Sequence, residues 1–502
     1  MNTVPTAVAE RPAVVKSHLL EESILPVLQK QRKIGTWGFV YIWIGIAVII
    51  ATFQLGATGV EAMPLTRVAP IILFANVALA VVMTLTADIG TEHGLSFAVY
   101  LRAPFGTVGT HLPAVFRGIV AAIWFGIQTY LGALAINGIV EYLTGFSSWA
   151  FWYAAFAIVQ VWNTAYGIKA VEKVADVAAP AIIAISIWMY FVLGDVATAK
   201  GVNIWTWAGS KDTTILTLFL ANMAFWSTLA IDIPNITRFL KADAGTKSFV
   251  RRNRHVFWAQ LVALPLTQTW VAIIGAASFI AAGNWNPIEV IQGHSTGLAL
   301  LLLLAMVVLA QWSTNNAANL IPAALTFVNA GAPRVGYRMG VVLAGIIGTL
   351  SVPWLILDNL FSFLFSYGSF LSTIGGIMIA DYYLLRKRRL NVPDLYEPRG
   401  QFRFAGGVNP AGVLTWLVGG TLAFYSGAWA FVVGFVVGFV LYTLLMKLWV
   451  LGHYPQAEIT SGYSDAYLAT STDTNWVYSA QDGFRHVRTA DLGDTGLARE
   501  DL

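Results

Sequence analysis

The sequence predicts an all-α integral membrane protein with about twelve transmembrane helices of roughly 20 residues each. Three observations carry this expectation. Of 502 residues, 57% are hydrophobic and only 11% are charged, whereas soluble domains carry about 25% charged residues. The mean hydropathy is +0.67. The apolar residues also fall into runs long enough to cross a hydrocarbon core, separated by short polar connections. The 45 glycines suit closely packed or interrupted membrane helices, and the 19 tryptophans suit interfacial belts. With no cysteine in the chain, disulfides and thiolate metal sites are excluded.

The apolar runs lie near residues 36–57, 68–87, 112–142, 148–166, 176–197, 213–233, 256–282, 297–329, 337–356, 359–384, 411–427 and 429–450. A very short turn around Ser426 and Gly427 joins the last two. Basic residues test this count. With the N-terminus inside, the inner connections hold Arg102, Lys169, Lys173, the run from Arg238 to Arg254, Arg334, Arg338 and the run from Arg386 to Arg389. The outer connections hold only Arg67, Lys200 and Lys211. Cytoplasmic loops carry the excess of Lys and Arg, so both termini are expected in the cytoplasm and the chain in the cell (inner) membrane. Residues 1–35 are polar, without the apolar core of a cleavable signal peptide. Residues 452–502 turn polar again and predict a largely disordered cytoplasmic tail, with Trp476 and Tyr478 resting on the bilayer or on the protein.

Several classes of function are disfavoured by what the chain lacks. No Gly-rich phosphate loop is present, which argues against an ATP-driven pump. Neither His-Glu-x-x-His nor Gly-x-Ser-x-Gly occurs and no histidine lies mid-span, so no enzyme is expected. A secondary transporter remains, with a channel behind it. Neither nucleic acid nor an obligate protein partner is expected; the bilayer and a small polar solute are.

The solute site is expected in the eighth apolar run. Ser313, Thr314, Asn315, Asn316 and Asn319 put five hydroxyl or amide side chains into seven positions at membrane depth. Such groups cost free energy in hydrocarbon unless they pair with one another, with backbone or with a bound solute. Interhelical hydrogen bonding is the structural alternative. Ala310, Ser313 and Thr314 stand at i, i+3 and i+4, so their oxygens can converge on a small hard cation. Asn315 and Asn319, four apart on a neighbouring face, can hold the hydrogen-bonding edge of an organic solute.

Three further segments carry unusual groups. In the third run, Trp124 and Gln128 are four apart on one face. An aromatic plane beside a primary amide suits a flat heterocycle, although a packing Trp and a helix-bridging Gln explain the pair as well. The sixth run ends Phe225-Trp226-Ser227-Thr228-Leu229-Ala230-Ile231-Asp232-Ile233-Pro234. Pro234 removes a backbone donor and predicts a kink or break. Asp232 can carry a proton or pair with a cation; alternatively it pairs with Arg238 or caps exposed N–H groups. In the first run, Gly45 allows a break that would free carbonyl oxygens.

These residues resemble the nucleobase:cation symporter-1 family, and within it the bacterial hydantoin transporters and the allantoin and uracil permeases. The resemblance rests on Arg102-Ala103-Pro104-Phe105-Gly106, Trp124-Phe125-Gly126-Ile127-Gln128-Thr129, Asp232-Ile233-Pro234-Asn235-Ile236-Thr237-Arg238, Ser313-Thr314-Asn315-Asn316-Ala317-Ala318-Asn319 and Ala380-Asp381-Tyr382-Tyr383, in the family's order across residues 30–450. It implies a LeuT-like ten-helix core over 36–390, built from two inverted five-helix repeats near 36–197 and 213–384, with broken first and sixth helices. A connection and two C-terminal helices would follow over 391–451.

The implied activity is import of a small planar nitrogen heterocycle of the hydantoin, allantoin or uracil type, by cation symport with alternating access. Proton-coupled cytosine or purine permeases, and a ligand-sensing receptor on the same scaffold, are the alternatives. Carried over by residue, Trp124 and either Trp226 or Phe225 would flank the ring, while Gln128 and Asn319, with Asn315 nearby, would read its edge. The coupling ion, Na⁺ with H⁺ as the alternative, would sit on the carbonyls of Gly45, Val48 and Ala310 and the hydroxyls of Ser313 and Thr314. Two departures stand out. The family often has Asn and then Asp where this chain has Asp232 and Asn235, and Ile49 replaces a family Gln.

Overall fold

The computed structural model describes residues 19–166 and 168–492, without the side chains of Ile50 and residues 168–182. Six helices are long and apolar enough to cross a membrane, namely Leu65–His93, His111–Thr144, Arg254–Ala282, Gly297–Gly331, Leu360–Leu385 and Gly427–His453. Thr36–Ala47 and Ala51–Val60, bent by 60° at a short break, together make a further span. Further helices at Trp149–Ala165, Ile168–Ala199, Ile215–Phe225, Tyr337–Thr349 and Pro410–Phe424 occupy the remaining positions expected from hydropathy. Taken in chain order, these segments are the first to twelfth spans.

The spans pack in groups. The third packs against the fourth, eighth and ninth, while the tenth packs against the eleventh and twelfth. The seventh lies against the second half of the first span and against the second span. Small residues set the approach of the seventh span to the first. A Cβ at Gly56 would stand 1.9 Å from the Ala272 carbonyl oxygen, and one at Gly275 would stand 2.1 Å from that of Phe53. Backbones this close gain dispersion contacts that lipid tails cannot match.

The first and sixth spans are interrupted. The first helix ends at Ala47; Val48 (φ −90°, ψ 70°) leaves the helical region and Ile49 (φ −109°, ψ 147°) is extended. Gly45 lies three residues before this break, which falls on β-branched residues that tolerate the extended region well. Thr52 bridges it, with its N–H on the Ile49 carbonyl at 2.9 Å and its hydroxyl donating to that of Ala47 at 3.3 Å. The sixth span breaks first at Trp226 (φ −96°, ψ 6°) and resumes over Ser227–Asp232; a short turn, Pro234–Thr237, follows. Pro234 marks only the second discontinuity. At the first, the Tyr367 hydroxyl donates to the Phe225 carbonyl at 3.2 Å and the Ser227 hydroxyl to that of Ala224 at 2.7 Å.

The polar tail departs from expectation. Over its described part it holds short turns at Ala457–Thr460 and Thr470–Thr472 and an antiparallel hairpin, β1 (Thr474–Ser479) and β2 (Gly483–Arg488). Trp476 stacks on His486 and Tyr478 packs on Phe484, so both rings rest on the hairpin itself. Polar composition predicts disorder when a segment has nothing to bury against. Here it meets buried charges at the end of the bundle that carries the basic loops. Ser471 accepts from Arg252 Nη1 at 2.8 Å and donates to Glu92 at 2.6 Å, while Glu458 pairs with Arg386. Burial opposes the Arg252 charge, yet Asp88 and Glu92 together hold its pKa well above the ordinary value. Residues 1–18 of the expected N-terminal segment and 493–502 of the tail lie outside the described residues.

Arg252 pairs with Asp88 and, at 2.9 Å, with Glu92, all three fully buried. Removing one partner of a buried ion pair costs about 3–5 kcal/mol, because charge is left uncompensated. Arg252→Ala is therefore expected to lower the unfolding temperature in detergent clearly, with Arg252→Lys intermediate. An unchanged melting curve for Arg252→Ala would contradict this account of the tail's anchor.

Candidate functional site

The two interruptions meet the third and eighth spans in the middle of the bundle. On the first span, the carbonyl of Gly45 accepts a hydrogen bond from the Thr314 hydroxyl. A Cβ built on Gly45 would lie 3.6 Å from Ser313 Oγ, so the two groups face each other directly. Ser313 in turn donates to the Ala310 carbonyl at 3.1 Å. Val48 and Ala310 both line one small apolar cavity of about 40 Å³. All five residues expected at a cation site are therefore brought together. Their donor set is all oxygen, backbone carbonyls and two hydroxyls, and such a set fits a hard cation. It contains no carboxylate, and no group of three or more His, Asp or Glu forms a metal site among the described residues.

Beside this cluster lies a group of aromatic rings. Trp124 meets Phe225 edge-on at 5.4 Å and Phe363 at 6.0 Å. Phe225 meets Trp226 at 4.9 Å, and Trp226 meets Trp43 at 6.2 Å. The two tryptophans expected to flank a ring thus each contact Phe225, which touches both. Trp43 and Phe363 were not singled out in the sequence. Trp43, two residues before Gly45 in the helix that breaks, was the more readable of the two. Gln128 is buried on the same span as Trp124, and its Oε1 has no hydrogen-bond partner among the described residues. A buried amide oxygen left unpaired costs about 1–3 kcal/mol.

The eighth span divides its polar residues differently from the expected pattern. Over Asn316–Leu320 it is a π-helix, a local widening that recurs at functional sites. The Asn315 amide donates to the Phe125 carbonyl at 3.1 Å, to Thr129 at 3.0 Å and to Gln160 at 2.9 Å. Its oxygen accepts from Asn319 at 2.8 Å. Asn315 therefore ties the third, fourth and eighth spans together and orients Asn319. Thr129 and Gln160, which complete this knot, carried no signal in the sequence beyond being polar in apolar runs. Asn316 bonds Asn163 of the fourth span at 2.7 Å.

Asp232 is buried in an ion pair with Arg117 of the third span, at 2.8 Å. Arg238, one of the partners considered for it, instead donates to the Ser23 carbonyl at 3.0 Å and lies over the Phe239 ring. Sequence proximity favoured Arg238, but the turn at Pro234 points the two side chains to different surroundings. Asn235 accepts from the backbone N–H of Phe97 at 3.0 Å.

This geometry can be set beside known proteins. A family model for permeases of cytosine/purines, uracil, thiamine and allantoin matches residues 26–452. The chain belongs to this permease family. A hydantoin permease of Microbacterium maritypicum is 30% identical over 465 residues, covering 90% of this chain and 93% of that one. Mhp1, a nucleobase-cation-symport-1 family transporter solved in a closed conformation with bromovinylhydantoin bound, superposes with a TM-score of 0.82 at 28% identity, over 89% of this chain and 99% of that one. Its inward-facing conformation gives 0.78, also at 28% identity, over 88% and 97%. The permease is thus an all-α, multi-pass membrane transporter and not an enzyme.

Asn315→Ala would remove the amide that joins three spans and holds Asn319. Losing a buried hydrogen-bond partner costs about 1–3 kcal/mol. A lower melting temperature is expected together with weaker ligand binding. Normal stability and normal affinity would show that the knot is dispensable.

Proposed function

We propose that this permease imports a small planar nitrogen heterocycle of the hydantoin, allantoin or uracil type by Na⁺ symport with alternating access. The observation that carries the reading is the convergence of the Gly45 carbonyl with Ser313 and Thr314, on a span whose next residue, Asn315, bonds the Phe125 carbonyl beside Trp124, while Trp43, two residues before Gly45, meets Trp226. The family's range of substrates and the hydantoin permease relative support the substrate class. In this reading the core is two inverted five-helix repeats, whose first members are the two interrupted spans, followed by a connection and two C-terminal helices. The basic-loop face is cytoplasmic, both termini lie there, and the membrane is the cell (inner) membrane.

The roles follow from chemistry. Trp124 would offer its face to one side of the ring, and Trp226 or Phe225, which contact each other and lie beside it, to the other. Gln128 and Asn319 would bond its carbonyl and N–H groups, and Asn315 would hold Asn319 in place. Gly45, Val48, Ala310, Ser313 and Thr314 would hold the ion. A sodium ion there would supply charge that fixes the broken first span against the eighth. Binding either ligand orders the eighth span, so the second binds at a smaller ordering cost; that is a physical route to coupling. Asp232, the acid that would serve a proton mechanism, is already paired with Arg117, which favours Na⁺.

Gln128→Ala and Asn319→Ala are each expected to abolish binding of hydantoins in a tryptophan-quenching titration while the protein still inserts and melts cooperatively. Normal uptake by both variants would sink the assignment of these amides. Ser313→Ala combined with Thr314→Ala should remove the dependence of uptake on sodium. If proteoliposomes carrying that variant still respond to a sodium gradient, the ion sits elsewhere or is a proton.

A further inference from the structure

The buried pair Arg117–Asp232 lies one layer from the aromatic cluster, toward the basic-loop end. Arg117 precedes Trp124 by seven residues on one continuous helix, an axial offset of about 10 Å at 1.5 Å per residue. Asp232 ends the short helix that starts beside Trp226. The pair therefore bridges the third span to the second half of the sixth, just past the proposed substrate.

It also differs in kind from the other buried pairs. Arg252 is held by Asp88, Glu92 and Ser471, and Arg386 by Asp381 and Glu458, with Tyr100 and Tyr442 donating to Asp381 at 3.0 and 2.8 Å. Among the described residues Arg117 bonds Asp232 and, at 3.3 Å, the Thr228 carbonyl, with the Tyr367 hydroxyl near enough to interact electrostatically, and its Nη1 has no hydrogen-bond partner among them. Asp232 Oδ1 accepts no bond from another residue among them. A charge pair that is desolvated but under-bonded is held mainly by its mutual attraction, so little else must break for it to part. The pair is made in a structure that resembles the closed Mhp1 conformation somewhat more than the inward-facing one. The order Asp232 then Asn235 gives each side chain its own task. The acid meets Arg117, and the neutral amide caps the Phe97 N–H.

We propose that the Arg117–Asp232 pair is the bolt that closes the substrate passage at its basic-loop end, and that it separates each time substrate leaves on that side. This rests on the transport reading above. Because the chain has no cysteine, a single introduced thiol reports the state of the bolt without background. Thr228 is four residues from Asp232 on the same short helix and shares its face.

In Thr228→Cys protein, labelling by a membrane-impermeant maleimide from the basic-loop face is expected to be slow. Adding Arg117→Gln with Asp232→Asn removes both charges together, so no lone buried charge is left. That triple variant should label about ten-fold faster from the basic-loop face only, and should lose about ten-fold in sodium-driven hydantoin accumulation while retaining exchange of bound ligand. The charge-reversed Arg117→Asp with Asp232→Arg should return labelling toward the slow rate. Unchanged labelling in the neutral variant overturns the bolt, as does failure of both variants to insert, which would assign the pair to folding. Labelling needs no transport. A chain without the charge changes that accumulates no heterocycle, in a set of variants that still shows these rates, would overturn the transport reading while keeping the pair as a closure of the basic-loop end.

Discussion

Backbone carbonyls released in the middle of a membrane helix have no water to bond, and the centre of this permease is organised around that constraint. Two spans are interrupted, and each interruption is answered from a neighbouring element. Thr314 on the eighth span reaches the Gly45 carbonyl, and Tyr367 on the tenth reaches that of Phe225. The groups that repair the breaks also position the site. Thr314 is a proposed ion ligand, and Tyr367 secures the residue whose ring touches both Trp124 and Trp226. Repair and function draw on the same few hydroxyls. That economy explains why the polar residues of the eighth span are so concentrated.

Polar groups in this bundle fall into two energetic classes. Asn315 and Arg252 use most of their bonding capacity within the protein. They fix geometry, and nothing is gained by freeing them. Gln128, Arg117 and Asp232 keep buried capacity unspent. In a low-dielectric interior an unsatisfied group is costly, so it persists where a ligand or a motion uses it. The distinction separates Asn315 from Gln128, although both looked alike as amides at membrane depth. In the proposed function Asn315 serves the substrate through Asn319, not by facing it with spare donors.

How much of this was legible in the sequence depends on the range of the interaction. The spans were readable because hydropathy is a sum over about 20 local residues and needs no partner. The oxygen cluster proposed for the ion was readable as a grouping because Ala310, Ser313 and Thr314 lie on one helical face, and the family resemblance supplied Gly45 and Val48. The breaks were only half readable. Pro234 announced a discontinuity in the sixth span, but the break beside the site falls at Trp226, where no local signal exists. Asp232 was read with the nearby Arg238, whereas its partner is Arg117, more than a hundred positions away in the chain. The tail was misread for a related reason. Its serines, threonines and Glu458 are polar by composition, and only the assembled end of the bundle shows the charges they were matched to.

The tail bears on the mechanics of the transport cycle. The Arg32 guanidinium, just before the first span, donates to Thr470 at 3.2 Å, and the Gln29 N–H donates to Asn475 at 2.8 Å. Ala469 and Ser471 donate their backbone N–H groups to the Glu92 carboxylate of the second span, at 3.0 and 3.1 Å. The tail thus joins the entry to the first span, the inner end of the second and the start of the seventh into one block. Rigid-body rocking of one helix group against another requires that each group keep its own shape. A polar clamp at the basic-loop end supplies that rigidity where the small-residue contacts between the first and seventh spans, nearer the other end, do not reach. In the proposed cycle the interface left to move is then the one between this block, joined by the sixth span that packs on the second, and the third and eighth spans, and the proposed substrate, ion and bolt residues come from its two sides.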